Sequence, residues 1–293
     1  MKSISAFLVL IFASVAWAGT PIEAKMLEMR NNSEKARLYR AILKHPEDHP
    51  KSNLANVKAA LKEIEDDWSI AQKWTHPAPE IEIPHLAKAP VIDGNAESGE
   101  WQGALERRGS YFINSTELQN DGSVWRLGWY KNKIYGSVSF SDSDMTFYRG
   151  RQGEPRTSKR VWQGDCLEVF VQPDEKVPYY VELLLRPELS AWVLDHVLGE
   201  SGFWTTIHFH FAAPVEVSGR ILPDGYTLEF SFEPGSFDLA RRDRDLKSGE
   251  TMRMAMVCMN LTLRESENTV QQSFFPLLHS GHNIFGYAKI KLK

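Results

Sequence analysis

At 293 residues the chain is long enough for one large domain, or for a smaller one with an extension. Its 42% hydrophobic and 25% charged residues exclude wholesale disorder, and a formal charge of -4 gives no electrostatic footing for nucleic acid. Two cysteines, Cys166 and Cys258, permit one disulfide at most, so this is no cysteine-stapled scaffold. The chain opens Met1-Lys2-Ser3, continues with an apolar run from Ala6 to Val15, and reaches Ala16-Trp17-Ala18. A charged start, a short greasy stretch and small residues around one point make a secretory signal peptide, cleaved after Ala18. Without Lys2 the balance is 33 basic against 38 acidic side chains, or -5. The expected location is secreted or periplasmic. No stretch approaches the roughly 20 apolar residues of a transmembrane helix.

From residue 19 to 75 the pattern is helical. Leu54, Val57, Leu61, Ile64, Trp68 and Ala71 recur at steps of three and four, lining one face of a helix. Ser52 or Asn53 can cap its start, with Pro50 just outside. A less regular helix precedes it, roughly Ile22 to Leu43. The connection from Lys44 to Pro50 is a loop, because its two prolines break any continuation. A helical hairpin follows, with its stripe packed on itself or on the next domain. The partner of that hairpin is left unassigned.

Prolines 77, 79 and 84 make residues 76–86 an extended linker. Residues 87–293 read as short strands and turns. Ser123–Tyr130 and Lys133–Phe140 flank Lys131-Asn132, a tight hairpin. Cys166–Gln172, Tyr179–Arg186, Ala191–Val197, Trp204–Phe211 and Val215–Ile221 follow. A Pro223-Asp224-Gly225 turn leads into Tyr226–Phe232, and Arg253–Leu263 and Tyr287–Leu292 close the set. About ten strands with little helix among them argue for an antiparallel β-sandwich, a mainly β fold.

No HExxH, paired CxxC, P-loop or GxSxG motif occurs. Trp162-Gln163-Gly164-Asp165-Cys166-Leu167-Glu168 combines a tryptophan in a turn with carboxylates at a strand entry. Such a ring can cover the C–H face of a pyranose while carboxylates accept its hydroxyls. The same residues also fit a packed sandwich edge with Asp165 capping a turn. His208 and His210 share one strand face and would need His279 or His282 to complete a transition-metal site. Glu168, Glu182 and Glu229 are the carboxylates from which a glycosidase pair, about 5–10 Å apart, would come. Asp142 and Asp144 offer oxygen ligands to calcium, although strand-end loops hold Asp for turn reasons alone. Cys166 and Cys258 lie in strands that can be neighbours, as a disulfide or as buried thiols.

The order of signals resembles family 9 carbohydrate-binding modules. It starts with Pro90-Val91-Ile92-Asp93-Gly94, then Glu100-Trp101 and Ala104. The strand pair around Leu127-Gly128-Trp129-Tyr130 and Ile134-Tyr135-Gly136 leads into Asp142 and Asp144. Trp162-Gln163-Gly164-Asp165 runs into Leu167-Glu168-Val169-Phe170, with Tyr180 in the next strand. Gly225-Tyr226-Thr227-Leu228-Glu229, His282-Asn283 and Phe285-Gly286 complete it. The likeness covers roughly Ala87 to Lys293 and leaves the hairpin outside.

The resemblance implies a DOMON-like β-sandwich without catalysis of its own. It would bind a mono- or oligosaccharide or a polysaccharide chain end between two tryptophans, with structural calcium in some members. Trp162 fits the first platform, and Glu168 fits a polar ligand-binding position. No tryptophan occurs after Trp204, so Phe274, Phe275, His279 or His282 would supply the second platform. The expectation is an exported, non-catalytic carbohydrate-binding protein linked to polysaccharide breakdown. Trp162 stacks on the sugar, Asp165 and Glu168 bond its hydroxyls, and Phe275 or His282 forms the opposing wall. DOMON-like sandwiches also include b-type haem proteins, for which Met145, His208, His210, His279 and His282 are the available ligands. Glycoside hydrolysis is the third expectation.

Overall fold

The computed structural model describes residues 34–73, 78–96, 99–142, 164–175, 179–187, 190–198, 204–207, 215–237, 244–261, 269–277 and 281–293. Two helices come first, α1 (Glu34–Lys44) and α2 (Leu54–Lys73). Of the two capping candidates Asn53 takes the role: its side-chain oxygen accepts the Asn56 N–H at 3.2 Å, satisfying one of the unpaired donors of the first turn. The prolyl loop tightens into one 3₁₀ turn, Pro46–Asp48. Ala36, Ile42, Leu61 and Ile64 are buried, and Arg40 meets Glu65 at 3.0 Å across the hairpin. The expected stripe starts later than its spacing implies, because Leu54 is 42% exposed. The first helix before Glu34, the Trp68 side chain and all of Trp74 lie outside the described residues, as does the leader.

Among the described residues thirteen strands follow. They are β1 (Glu80–Ile83), β2 (Leu105–Phe112), β3 (Leu118–Tyr130), β4 (Lys133–Ser141), β5 (Cys166–Gln172), β6 (Tyr179–Arg186) and β7 (Ser190–Leu198). The rest are β8 (Trp204–Ile207), β9 (Glu216–Leu222), β10 (Gly225–Phe232), β11 (Thr251–Leu261), β12 (Thr269–Ser273) and β13 (Ala288–Leu292). Five of them run β8-β7-β6-β5-β11, and five more run β2-β3-β4-β10-β9. The two layers join where β12 pairs with β2 over Gln272–Phe112 and Ser273–Tyr111. Strand β11 divides its length, pairing β13 with its first half and β12 with its second. Pairing is antiparallel except between β1 and β13. Strands β1, β2 and β12 escape the sequence pattern. The first is a charged EIEI edge, the second carries two arginines and a glycine at a bulge, and the third is mostly polar.

Alternation decides which side chains meet between the layers. Trp125, Leu127 and Trp129 of β3, Ile134 and Val138 of β4, and Leu228 and Phe230 of β10 supply one wall. Leu167, Val169 and Val171 of β5, Val181, Leu183 and Leu185 of β6, and Met254, Met256 and Cys258 of β11 supply the other. These residues form one cluster, which makes the assembly a β-sandwich. Between β3 and β4 the turn is two residues long, since Tyr130 pairs with Lys133, and Lys131 takes the left-handed conformation with φ 53°.

Candidate functional site

A sandwich strand ordinarily turns its second set of side chains to water. Strand β5 does not, for all seven of its residues are buried. Its second face carries Cys166, Glu168, Phe170 and Gln172. The same face continues as Tyr180, Glu182, Leu184 and Arg186 on β6, and as Ala255, Val257 and Met259 on β11. The segment after β12 returns over part of it, so that Phe170, Tyr180, Ala255, Val257, Leu277, Ile284 and Tyr287 make a second small core.

The return is held at three points. Gly281 rests on the Phe170 ring so closely that a Cβ there would lie 2.2 Å from its carbons. The Tyr287 hydroxyl donates to the Gly281 carbonyl at 2.6 Å. The Tyr180 hydroxyl meets His282 Nδ1 at 2.9 Å, and the His282 ring stands edge-on to Phe170 with centroids 5.4 Å apart. His282 is itself exposed. Burial, with the Glu182 and Glu168 carboxyls adding to it, raises the Tyr180 hydroxyl pKa, so this hydroxyl keeps its proton.

Glu168 and Glu182 sit beside this cover, 7% and 4% exposed. Glu168 pairs with Leu184 and Phe170 with Glu182, so the two acids are diagonal neighbours, with Cα atoms roughly 7–8 Å apart. Burial holds the Glu168 carboxyl well above the ordinary range, and the neighbouring charge of Glu182 raises it further. No hydrogen bond to the Glu168 carboxyl comes from the described residues. A carboxyl with this little water and no donor is an acceptor awaiting a polar partner.

Glu229 behaves differently. It is fully buried on the outer face of the second layer. There it accepts the backbone N–H of Asp93 at 3.1 Å, that of Gly94 at 2.8 Å, and the Trp101 indole N–H at 2.8 Å. Asp93 in turn accepts the Asn95 N–H at 2.9 Å, closing the turn. Gly94 has φ +86°, and a Cβ would come 2.9 Å from the Gly219 carbonyl carbon. The Ile92-Asp93-Gly94 and Trp101 motifs therefore anchor a covering segment onto β10. The three carboxylates from which a pair would come are thus divided: Glu168 and Glu182 share a face, and Glu229 serves the scaffold on the other layer.

One further expectation is corrected. Phe275 is 1% exposed and belongs to the central core, with its centroid 4.5 Å from that of Phe274. The Arg107 guanidinium lies over both rings, at 4.8 Å from Phe274 and 5.8 Å from Phe275, and donates to the Phe274 carbonyl. Burial lowers the Arg107 pKa. Phe275 therefore packs a half-buried cation and presents no face to a sugar. Asp165 is fully buried. Its carboxyl is near enough to Tyr226 and Cys258 to reinforce the upward shifts that burial gives both groups. It acts in the same way on Cys166, on the face of Glu168.

The cysteines are both buried and free. Cys258 pairs with Leu167 and Met259 with Cys166, so alternation turns Cys258 into the central core and Cys166 to the opposite face of the same sheet. Asp142 is buried and its backbone N–H donates to the Asp224 carbonyl at 2.9 Å, tying the end of β4 to the Pro223-Asp224-Gly225 turn. Trp162, Asp144, Met145, His208, His210 and His279 lie outside the described residues. Among the described residues the one cluster of three metal-ligand side chains is His45, Glu47 and Asp48, all exposed on the turn between the helices. No described helix is long and apolar enough to cross a membrane.

Neither a protein-family model nor a curated protein sequence matches the chain. Solved structures do. One is a "putative carbohydrate-binding protein" from Bacteroides uniformis, with TM-score 0.52 and 13% identity over 73% of this chain and 99% of the other. Another is a family 9 carbohydrate-binding module from Caldicellulosiruptor kristjanssonii in complex with cellotriose, at TM-score 0.48 and 16% identity over 73% of this chain and 93% of that one. Its glucose complex gives TM-score 0.47 and 16% identity, covering 73% and 96%. At these identities the first likeness shows a shared fold, the sandwich expected from the ordered motifs.

Proposed function

We propose that this chain is an exported, non-catalytic carbohydrate-binding protein whose saccharide sits against the second face of β5 and β6. One observation carries the reading: Glu168 is a nearly buried carboxyl to which no described residue donates, on the covered face of a sandwich. A sugar brings several hydroxyl donors and apolar C–H faces at once, which matches an acceptor set among aromatic rings. Glu168 accepts a ligand hydroxyl. Trp162, six residues earlier in the chain, supplies the stacking platform. His282, held by Tyr180 and exposed, stands as the opposing wall in place of Phe275. The shared fold with a protein described as carbohydrate-binding agrees with this role. The leader directs export, and polysaccharide breakdown is the setting in which such a protein works.

Titration calorimetry against a panel of mono- and oligosaccharides tests the reading. Trp162→Ala should weaken binding by about 2 kcal/mol or more, as loss of a central aromatic anchor does. Unchanged affinity removes Trp162 from the site. Glycoside hydrolysis is a second reading, favoured by the adjacency of a carboxyl whose pKa burial raises and a second acid. Turnover of chromogenic glycosides that disappears in Glu168→Gln would establish it.

A further inference from the structure

The exposed ring of His282 is carried by a buried clamp. Its neighbour Gly281 lies against the Phe170 ring, which is fully buried and has no room to yield to a side chain. From Gly281 the chain passes through one 3₁₀ turn, Ile284–Gly286, and reaches Tyr287. The Tyr287 hydroxyl closes that loop by donating to the Gly281 carbonyl, six residues back. Tyr287 is itself fully buried, with its ring edge-on to that of Tyr180 at 6.1 Å between centroids. It leads straight into β13, which pairs with both β1 and β11. From the other side the Tyr180 hydroxyl meets His282 Nδ1. The backbone before His282 and one nitrogen of its ring are therefore both fixed from the core, and a group fixed before the ligand arrives costs less to order on binding.

We propose that Tyr287 and Gly281 are positioning residues of the ligand site, which act through the Gly281 carbonyl to set the His282 ring as a preformed wall for the saccharide. The inference rests on the carbohydrate reading above and adds how its wall is held. Along β5, Phe170 is the next residue after Glu168 on the same face, about 7 Å further on. A ring held edge-on to Phe170 thus stands beside the Glu168 acceptor. Tyr287 lies beneath this surface and acts on the ligand only through the segment it holds. Tyr287→Phe keeps the packed ring and removes the hydroxyl alone, so the Gly281 carbonyl loses its donor. Gly281→Ala reaches the same segment by another route, since its methyl group drives the backbone off Phe170.

The test is a double-mutant cycle on the full chain. Glucose, galactose, mannose, xylose and cellobiose are titrated by calorimetry, and the tightest binder is carried through the cycle, at a temperature where melting curves show every variant folded. His282→Ala should weaken binding about fivefold or more, and Tyr287→Phe about threefold or more. In the His282→Ala background the Tyr287 change should cost less than about 1.5-fold, because the ring it positions is gone. A hydroxyl that served the fold alone would lower the melting temperature and leave affinity as it was. Unchanged affinity in Tyr287→Phe, an equal loss in both backgrounds, or a His282→Ala protein that binds like the parent overturns the positioning role and leaves the carbohydrate reading intact. If Tyr287→Phe does not fold, Gly281→Ala takes its place in the cycle with the same expected outcomes. Failure of the whole panel to bind overturns the carbohydrate reading, and this inference with it.

Discussion

Replacing Glu229 separates a scaffold carboxylate from a ligand carboxylate. Its two oxygens serve three N–H donors, at 2.8, 2.8 and 3.1 Å, with no access to water. Glu229→Leu leaves all three buried donors without an acceptor. At about 1–3 kcal/mol for each orphaned group, less what the segment recovers by relaxing, the expected loss is about 3–6 kcal/mol. Glu229→Gln keeps one acceptor but turns an amide N–H₂ toward the other donors, and should cost about 2–4 kcal/mol. Urea unfolding followed by tryptophan fluorescence measures both, and the glutamine variant carries the test if the leucine variant does not fold. Glu168→Gln, which breaks no described hydrogen bond, should lie within about 1 kcal/mol of the parent or above it. A Glu229→Gln protein as stable as the parent would refute the anchoring role. A Glu168→Gln protein destabilised as strongly as Glu229→Gln would show that Glu168 is bonded after all.

The Glu168 carboxyl also links stability to pH. Its folded pKa is raised above the ordinary 4.5, so above pH 4.5 the folded protein holds a proton that the unfolded chain has released. That contribution is fully present below 4.5 and is lost as pH rises through the folded value. The melting temperature of Glu168→Gln should therefore gain on the parent steadily between pH 5 and pH 8, and a constant gap would contradict the shift. The two thiols should resist a disulfide reagent in the native protein and both react once it is unfolded. No reactive thiol in denaturant would mean that a cross-link had formed despite their opposite faces.

Local pattern was enough for most strands. Cys166–Gln172 and Tyr179–Arg186 have in the structure the bounds read from composition, because β-branched and aromatic runs between turn residues leave little choice. The strands that went unread carry charge, glycine or mostly polar residues and are made by their partners. Strand β2 lies against β3 through a bulge between Arg108 and Ser110, and β1 is an edge tied by Lys291 to Glu82 at 3.1 Å. Phe274-Phe275 looked like a wall for a ligand because aromatic pairs near a chain end are equally good at both tasks. The partner that decides between them, Arg107, is 167 residues away from Phe274.

The candidate site divides the same way. Alternation placed Glu168, Glu182 and Glu229 in strands with nothing to distinguish them, since each sits among apolar neighbours. The role of Glu229 depends on contacts that span 128 to 136 residues, and no local window contains such information. Tyr287 and Gly281 went unnoticed for the same reason, as their role appears only when the chain after β12 folds back onto Phe170.

By itself, then, the order of residues determined that the chain makes a helical hairpin and a sandwich, because period and turn chemistry act over a few residues. Register, and the side of a sheet on which a loop returns, arise from burial of the whole core. It was these that set Cys166 apart from Cys258, withdrew Phe275 from the ligand face, and left Glu168 there beside Glu182.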